Sequence, residues 1–87
     1  MKIYFGETGL DNTHQMPFEA VIPCPTCGGA AQVMFVGFED SRDEPCVCDL
    51  PVDGTPDKGC LWPHDCIAVA VYVCRECFAT TAKMNQA

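Results

Sequence analysis

Hydrophobic positions in this 87-residue chain fall into short runs that have the composition of β-strands. Residues 2–5, 21–22, 30–38 and 67–73 are rich in Val, Ile, Phe and Tyr, and residues 78–84 form a more polar segment with two threonines. β-branched and aromatic residues favour extended structure, and no run has a convincing helical period. The pattern predicts a mainly β fold with a small antiparallel sheet.

Alternation within two of these runs indicates which side chains are buried. Every second residue of an extended strand points to the same face of the sheet. On this basis the core is predicted to contain Val33, Phe35, Val69, Val71 and Val73.

Residues 39–66 differ in composition from the rest of the chain. They hold eight of the twelve acidic residues and four of the seven prolines. Proline and glycine interrupt regular elements, so we expect a long irregular, acidic, Cys-rich insert between two strands. Residues 1–20 are expected to form a leader. The length is compatible with one domain over residues 1–87.

Two C-x-x-C turns carry the strongest chemical signal. Cys24 and Cys27 lie in CPTCG, Cys74 and Cys77 lie in CREC, and each pair falls between two predicted strands. Two intervening residues allow one tight turn to present both sulfurs to one ion, while N–H groups of the turn offset the thiolate charge. Gly28 suits the left-handed conformation expected directly after the second cysteine. The four cysteines are predicted to bind one metal ion at two facing hairpin tips; buried or disulfide-bonded thiols are the alternative.

These turns resemble the metal knuckles of zinc-ribbon, or rubredoxin-like, domains. The similarity covers about residues 21–38 and 67–84. CPTCG matches the family pattern fully, whereas Phe78 stands where many members have glycine. The resemblance implies a structural metal and a small antiparallel ribbon, and it implies no particular activity because ribbons serve many functions.

Four further cysteines lie inside the insert. Cys46 and Cys48 would point to the same face of an extended segment. Cys60 and Cys66 could complete a second Zn²⁺ site, with His64 as a substitute for one cysteine. The insert has too few apolar residues to form a core of its own, which favours stabilisation by a bound metal ion. Two disulfides, or reduced thiols in a loop, are the alternatives.

The eight cysteines could be paired in three ways. A nested scheme joins the two C-x-x-C turns and leaves the inner four cysteines together. A sequential scheme would join the first four and the last four, and a cross-brace would interleave the pairs. The nested scheme is preferred because the outer turns are alike and lie between strands. The eleven residues between Cys48 and Cys60 also fit a cross-brace poorly.

The charge balance narrows the class of partner. The net charge is −7, and it becomes more negative if the thiols bind divalent ions as thiolates. Nucleic-acid binding depends on basic residues that neutralise phosphates, and here they form no stripe. We therefore expect neither a nucleic acid nor a membrane as partner. A protein partner is expected instead, preferably a basic one. The five scattered bases are Lys2, Arg42, Lys58, Arg75 and Lys83.

The compartment is inferred from the start of the sequence. Residues 1–10 contain one lysine and no apolar stretch of signal-peptide length. The longest apolar run, residues 67–74, is too short to span a bilayer. A cytoplasmic location is therefore expected, where paired cysteines are more often metal ligands than disulfides.

Three classes of function fit these residues. The first is a zinc-binding structural module that acts as an adaptor or small regulatory protein in protein–protein interaction. The second is a rubredoxin-like iron electron carrier. The non-glycine residue Phe78 and the presence of four further cysteines in the insert both argue against this class. The third is a thiol-based metal or redox sensor with labile inner cysteines. No catalytic constellation is found, so an enzyme ranks last.

Overall fold

The fold is a single open antiparallel sheet in a computed structural model. The structure describes residues 1–40, 47, 50–55, 59–60 and 66–87. Within those ranges there are five strands and one turn of helix, which confirms the predicted mainly β fold. The elements are β1 (Lys2–Phe5), a 3-10 helix (Gly6–Gly9), β2 (Val21–Pro23), β3 (Ala30–Phe38), β4 (Ile67–Cys74) and β5 (Thr80–Gln86).

Strand β3 lies at the centre of the sheet. It pairs with β4 along one edge, and β5 pairs with β4 on the far side. The other edge of β3 is shared: β1 pairs with residues 35–38 and β2 pairs with residues 30–32. The hairpins β2–β3 and β4–β5 therefore turn at the same end of the sheet, and the insert leaves from the opposite end. None of the described residues belongs to a helix with the length and apolar content of a membrane span.

A β-bulge at Met34 changes the alternation of β3. Val33 lies opposite Tyr72, and Phe35 lies opposite Val71, so Met34 is an extra residue on β3. Because one inserted residue reverses the side-chain alternation, Val33 and Val36 point to the same face although they are three positions apart.

The core lies on one face of the sheet, under residues 6–20. Phe18 is buried there, and Leu10 packs against the same cluster. Gly9 allows the 3-10 helix to approach closely, since a Cβ at this position would lie only 3.1 Å from the Cβ of Val36. The expected leader is thus part of the fold. The buried cluster also contains Ile22, Cys24, Ala31, Val33, Val36, Ala68, Ala70, Tyr72 and Cys74.

The predicted core is wrong for four of its five members. Val33 is buried as expected, but Phe35, Val69, Val71 and Val73 lie on the other face and are half-buried. The sequence of β4, IAVAVYVC, is apolar at both odd and even positions, so alternation could not select a face. The bulge also moves Phe35 away from the face that Val33 occupies.

A buried carboxylate closes the base of the insert. Glu39 is fully buried, and its two carboxylate oxygens accept from the N–H groups of Val47, at 2.5 Å, and of Ile67, at 3.3 Å. The Glu39 N–H donates to the Ile67 carbonyl at 2.9 Å. His14 Nε2 donates to the Glu39 carbonyl at 2.7 Å, and its ring stacks on Phe38. The two ends of the insert are therefore held side by side at the β3–β4 ladder.

Candidate metal centre

The two C-x-x-C turns meet at one end of the sheet. Cys24 and Cys27 connect β2 to β3, while Cys74 and Cys77 connect β4 to β5. Antiparallel pairing of β3 with β4 places Ala31 opposite Cys74, and this register brings the two hairpin tips together. The structure thus gathers the four outer cysteines that the sequence singled out.

The spacing of the four sulfur atoms suits one ion. All four Sγ atoms lie within 4.8 Å of one another. The Sγ atoms of Cys24 and Cys77 are 3.8 Å apart, and those of Cys27 and Cys74 are 3.5 Å apart. A tetrahedral site with metal–sulfur bonds of about 2.3 Å separates its sulfurs by about 3.8 Å, whereas a disulfide requires about 2.05 Å. The geometry therefore fits a tetrathiolate metal site and not a pair of disulfides.

The first turn is a backbone loop that directs N–H groups at sulfur. The Cys24 N–H donates to the Gly29 carbonyl at 2.7 Å, and the Gly28 N–H donates to the Cys24 carbonyl at 2.9 Å. The Thr26 N–H donates to Cys24 Sγ, and the Gly29 N–H donates to Cys27 Sγ, both at 3.4 Å. Such donors stabilise sulfur as thiolate.

The second turn repeats this arrangement fifty residues later. The Cys74 N–H donates to the Ala79 carbonyl at 2.8 Å, and the Phe78 N–H donates to the Cys74 carbonyl at 3.0 Å. The N–H groups of Glu76 and Cys77 donate to Cys74 Sγ at 3.4 and 3.5 Å. The two turns are therefore equivalent in their backbone-to-backbone hydrogen bonds, despite different sequences.

Phe78 has the backbone conformation that glycine has in the first turn. Its φ is +62°, close to the +77° of Gly28, and it is the one non-glycine residue with positive φ among those the structure describes. An aromatic residue is rare in this region. The departure from the family pattern at this position does not alter the shape of the turn.

Backbone donors favour ionisation of one cysteine in each turn. The N–H groups of Cys77 and Glu76 lower the pKa of Cys74 to about 6. The pKa of Cys24 is likewise lowered, by the N–H groups of Cys27 and of Thr26. These two thiols are the first in the cluster to become thiolates.

The remaining two cysteines hold their protons more tightly. The Gly29 N–H lowers the pKa of Cys27, but the neighbouring Cys74 and Cys77 side chains outweigh it and raise that pKa to about 12. The pKa of Cys77 is also raised: the Ala79 N–H opposes the shift, but partial desolvation and the Cys74 and Cys24 side chains outweigh it. Four adjacent thiolates repel one another, so full ionisation requires a cation among them.

The centre has a buried side and an exposed side. Cys24 and Cys74 are buried, whereas Cys27 and Cys77 are exposed. The four cysteines could hold a metal ion, and they would fill a tetrahedral coordination shell. A closed shell leaves no position for a substrate, which is typical of a structural site.

The inner cysteines are only partly described. Cys46, Cys48 and His64 lie outside the described residues. Cys60 is exposed and forms an isolated β-bridge with Pro51, while Cys66 is buried directly before β4. Within the described ranges, the outer four cysteines form the only group that could hold an ion. The second metal site stays a prediction.

Comparisons with protein-family models, with curated proteins and with solved structures return no match. The metal centre therefore rests on its own geometry: four clustered cysteines on a small open β-sheet, consistent with a zinc-ribbon-like site.

Proposed function

We propose that this protein is a zinc-binding structural module that acts as an adaptor or small regulatory protein in protein–protein interaction. The observation that carries the proposal is the closed set of four sulfurs at the tips of two hairpins of one sheet. A metal with four thiolate ligands has no open position, so it contributes to folding and not to catalysis.

The fold gives a physical reason for such an ion. The buried cluster is small, and three of its members are alanines, at positions 31, 68 and 70. A chain of this size has too little core for high stability and benefits from a staple. One ion held by both turns would tie the β2–β3 hairpin to the β4–β5 hairpin.

Iron is the second candidate, as in a rubredoxin-like electron carrier. Four thiolates accept iron as well as zinc. The exposure of Cys27 and Cys77, together with the N–H donors on the sulfurs, favours this alternative because both features support electron transfer. We prefer zinc because electron transfer gives no role to the second cysteine set. That set would bind a second Zn²⁺ through Cys46, Cys48, Cys60 and Cys66, or serve as a labile metal or redox sensor.

The acidic insert is the proposed recognition surface. Residues 39–66 carry eight of the twelve acidic side chains, in a chain of net charge −7. This charge favours a basic protein partner over nucleic acid or an anionic membrane, in the reducing cytoplasm. Such a complex would weaken as salt rises, because exposed charges are screened.

Native mass spectrometry with elemental analysis of protein purified without added metal tests the metal assignment. We expect zinc, a colourless sample and no mass loss from disulfides. Cys24→Ser should lose the outer ion, whereas Thr26→Ser should keep it, because Thr26 contributes only its backbone N–H to the turn. Iron with a red colour would replace the adaptor proposal with electron transfer. A partner captured by the zinc-loaded chain should be released when the acids of the insert are changed to amides, with the buried Glu39 left unchanged.

A further inference from the structure

One face of the sheet is apolar and lies opposite the core. We call it the open face, defined by Ile3, Phe5, Val21, Met34, Val71 and Met84. Its continuity follows from the strand register. In one row across the sheet, Ile3 lies opposite Gly37, Gly37 opposite Val69, and Val69 opposite Met84. A Cβ built on Gly37 would lie 2.9 Å from the Met1 sulfur, 3.3 Å from Val69 and 3.4 Å from Ile3, so these residues share one side.

A second row continues the same surface toward the metal turns. Phe5 lies opposite Phe35, Phe35 opposite Val71, and Val71 opposite Ala82. Neither row contains a charged residue, although 20% of the chain is charged. The strands contain two lysines. Lys83 lies opposite the buried Ala70, and Lys2 is adjacent to Ile3 in β1. Because side chains alternate along a strand, both lysine side chains point away from the open face.

The open face exposes enough apolar surface for an interface. Ile3, Phe5, Val21, Met34 and Met84 are between 42 and 75% exposed. Together they expose about two and a half whole side chains, on the order of 500 Å² at roughly 200 Å² for a large apolar side chain. Two such faces would bury on the order of 1,000 Å², about the minimum area expected of a biological interface. Apolar patches of this size mark interaction sites.

Charge distinguishes two candidates that could cover the open face, a basic partner protein and a second copy of this chain. A basic partner attracted by the insert would gain nothing electrostatically from an uncharged face. A second copy presents an equally uncharged and equally large face. A two-fold axis across the strands would also place the strand ends from which the two acidic inserts depart at opposite ends of the dimer. The strands span roughly 25 Å, several times the Debye length of about 8 Å at physiological salt. The net charge of −7 on each copy therefore does not prevent contact.

We propose that the open face packs against the open face of a second copy, which forms a two-fold symmetric β-sandwich dimer. Aligned sheets pack about 10 Å apart and bury their facing side chains as a core. Each chain then has two covered faces, the usual requirement for a stable layered domain. Because the interface is isologous, every substitution on the open face acts twice. This proposal is independent of the metal and of the function proposed above.

Sedimentation equilibrium of the metal-loaded full chain tests the dimer from micromolar to millimolar concentration. The wild-type protein should approach the mass of two chains. Met34→Lys should weaken the dimer at least about a hundredfold, because it buries two unpaired charges. Met16→Lys is the matched control: Met16 is 81% exposed, lies in the segment over the other face, and gains the same charge. It should dimerise like the wild-type protein.

Phe5→Ala keeps the test valid if Met34→Lys fails to fold. Phe5 is 75% exposed, so its truncation should cost the single chain little while it weakens the dimer. Lower salt should weaken the dimer, because the repulsion between the acidic chains is then less screened. A wild-type protein that stays monomeric at millimolar concentration would overturn the proposal. So would an equal loss of dimer in Met16→Lys.

Discussion

Phe78 and Gly28 occupy equivalent positions in the two C-x-x-C turns and share a left-handed backbone, with φ of 62° and 77°. Each donates its N–H to the carbonyl of the first cysteine of its turn. The Phe78 side chain is 76% exposed, so packing does little to offset the conformational cost of a non-glycine residue here. The two turns therefore provide an internal comparison of the same conformation with and without a side chain.

Phe78→Gly should stabilise the metal-bound protein. A left-handed conformation costs a non-glycine residue about 1–2 kcal/mol, and the greater freedom of glycine in the unfolded chain offsets part of this gain. We expect a net gain of roughly 0.5–1 kcal/mol in the free energy of unfolding, measured by denaturant titration at fixed zinc activity. The matched change Gly28→Ala should destabilise by about 1 kcal/mol. Stabilisation by both changes would contradict the equivalence of the turns.

Metal affinity should rise with pH. Cys27, with a pKa of about 12, and Cys77, with a raised pKa, are protonated near pH 7, whereas Cys74, with a pKa of about 6, is ionised. Binding near pH 7 to 8 should therefore release at least two protons, those of Cys27 and Cys77, and affinity should increase at least about a hundredfold per pH unit. Below about pH 6 the dependence should steepen, because Cys74 must then lose its proton too. Zinc calorimetry in buffers of different ionisation enthalpy counts these protons. Release of none or of all four would contradict the assignment.

The two cysteine sets should differ in their effect on the fold. Cys24→Ser or Cys77→Ser should unfold the protein, because the outer centre joins both hairpins. Cys46→Ser should chiefly loosen the insert and leave the amide signals of β3 and β4 dispersed. Two-dimensional NMR of the zinc-loaded variants distinguishes the outcomes. Collapse of the dispersion throughout Cys46→Ser would refute the distinction between the sets.

The Tyr72 hydroxyl should contribute measurably to stability. It donates to the Glu19 carbonyl at 2.6 Å and so ties residues 6–20 to β4. Burial, with a smaller effect from the Glu19 carboxylate, raises the Tyr72 pKa, so the hydroxyl keeps its proton in mildly alkaline solution. Tyr72→Phe should cost about 1–2 kcal/mol by leaving the carbonyl unpaired. Tyr72→Leu, which also removes core volume, should cost more. Equal stability of Tyr72→Phe and the wild-type protein would show that water replaces this donor.

The strands and the cysteine cluster could be predicted from the sequence because each has a local signal. Val- and Phe-rich runs indicated four strands close to their observed bounds, and the C-x-x-C spacing indicated which sulfurs meet. β5 begins at Thr80, two residues after the predicted start, because Phe78 and Ala79 belong to the turn.

The choice of buried face could not be predicted because it depends on non-local contacts. Residues 6–20 cover one face of a sheet whose central strands are apolar on both sides, and no local pattern indicates which face that is. The Met34 bulge appears only in the register between β3 and β4. The role of Glu39 was missed for a similar reason, since its N–H partners come from the insert and from Ile67. A carboxylate in an acidic stretch otherwise indicates a solvated surface.

The hydrogen bonds of Glu39 hold the two ends of the insert together, so the insert could be replaced by another segment at this point. The closure entropy of a loop grows only slowly with its length once its ends are fixed, and here Glu39 and Ile67 fix them by backbone and side-chain bonds. The sulfur cluster lies at the far end of the same strands, about 25 Å away. Segments of other lengths and sequences should therefore be exchangeable within the insert without loss of the four-cysteine cluster, provided that a backbone N–H still takes the place of Val47 beside the buried Glu39. The end of the sheet that carries the insert is thus separate from the end that carries the four cysteines.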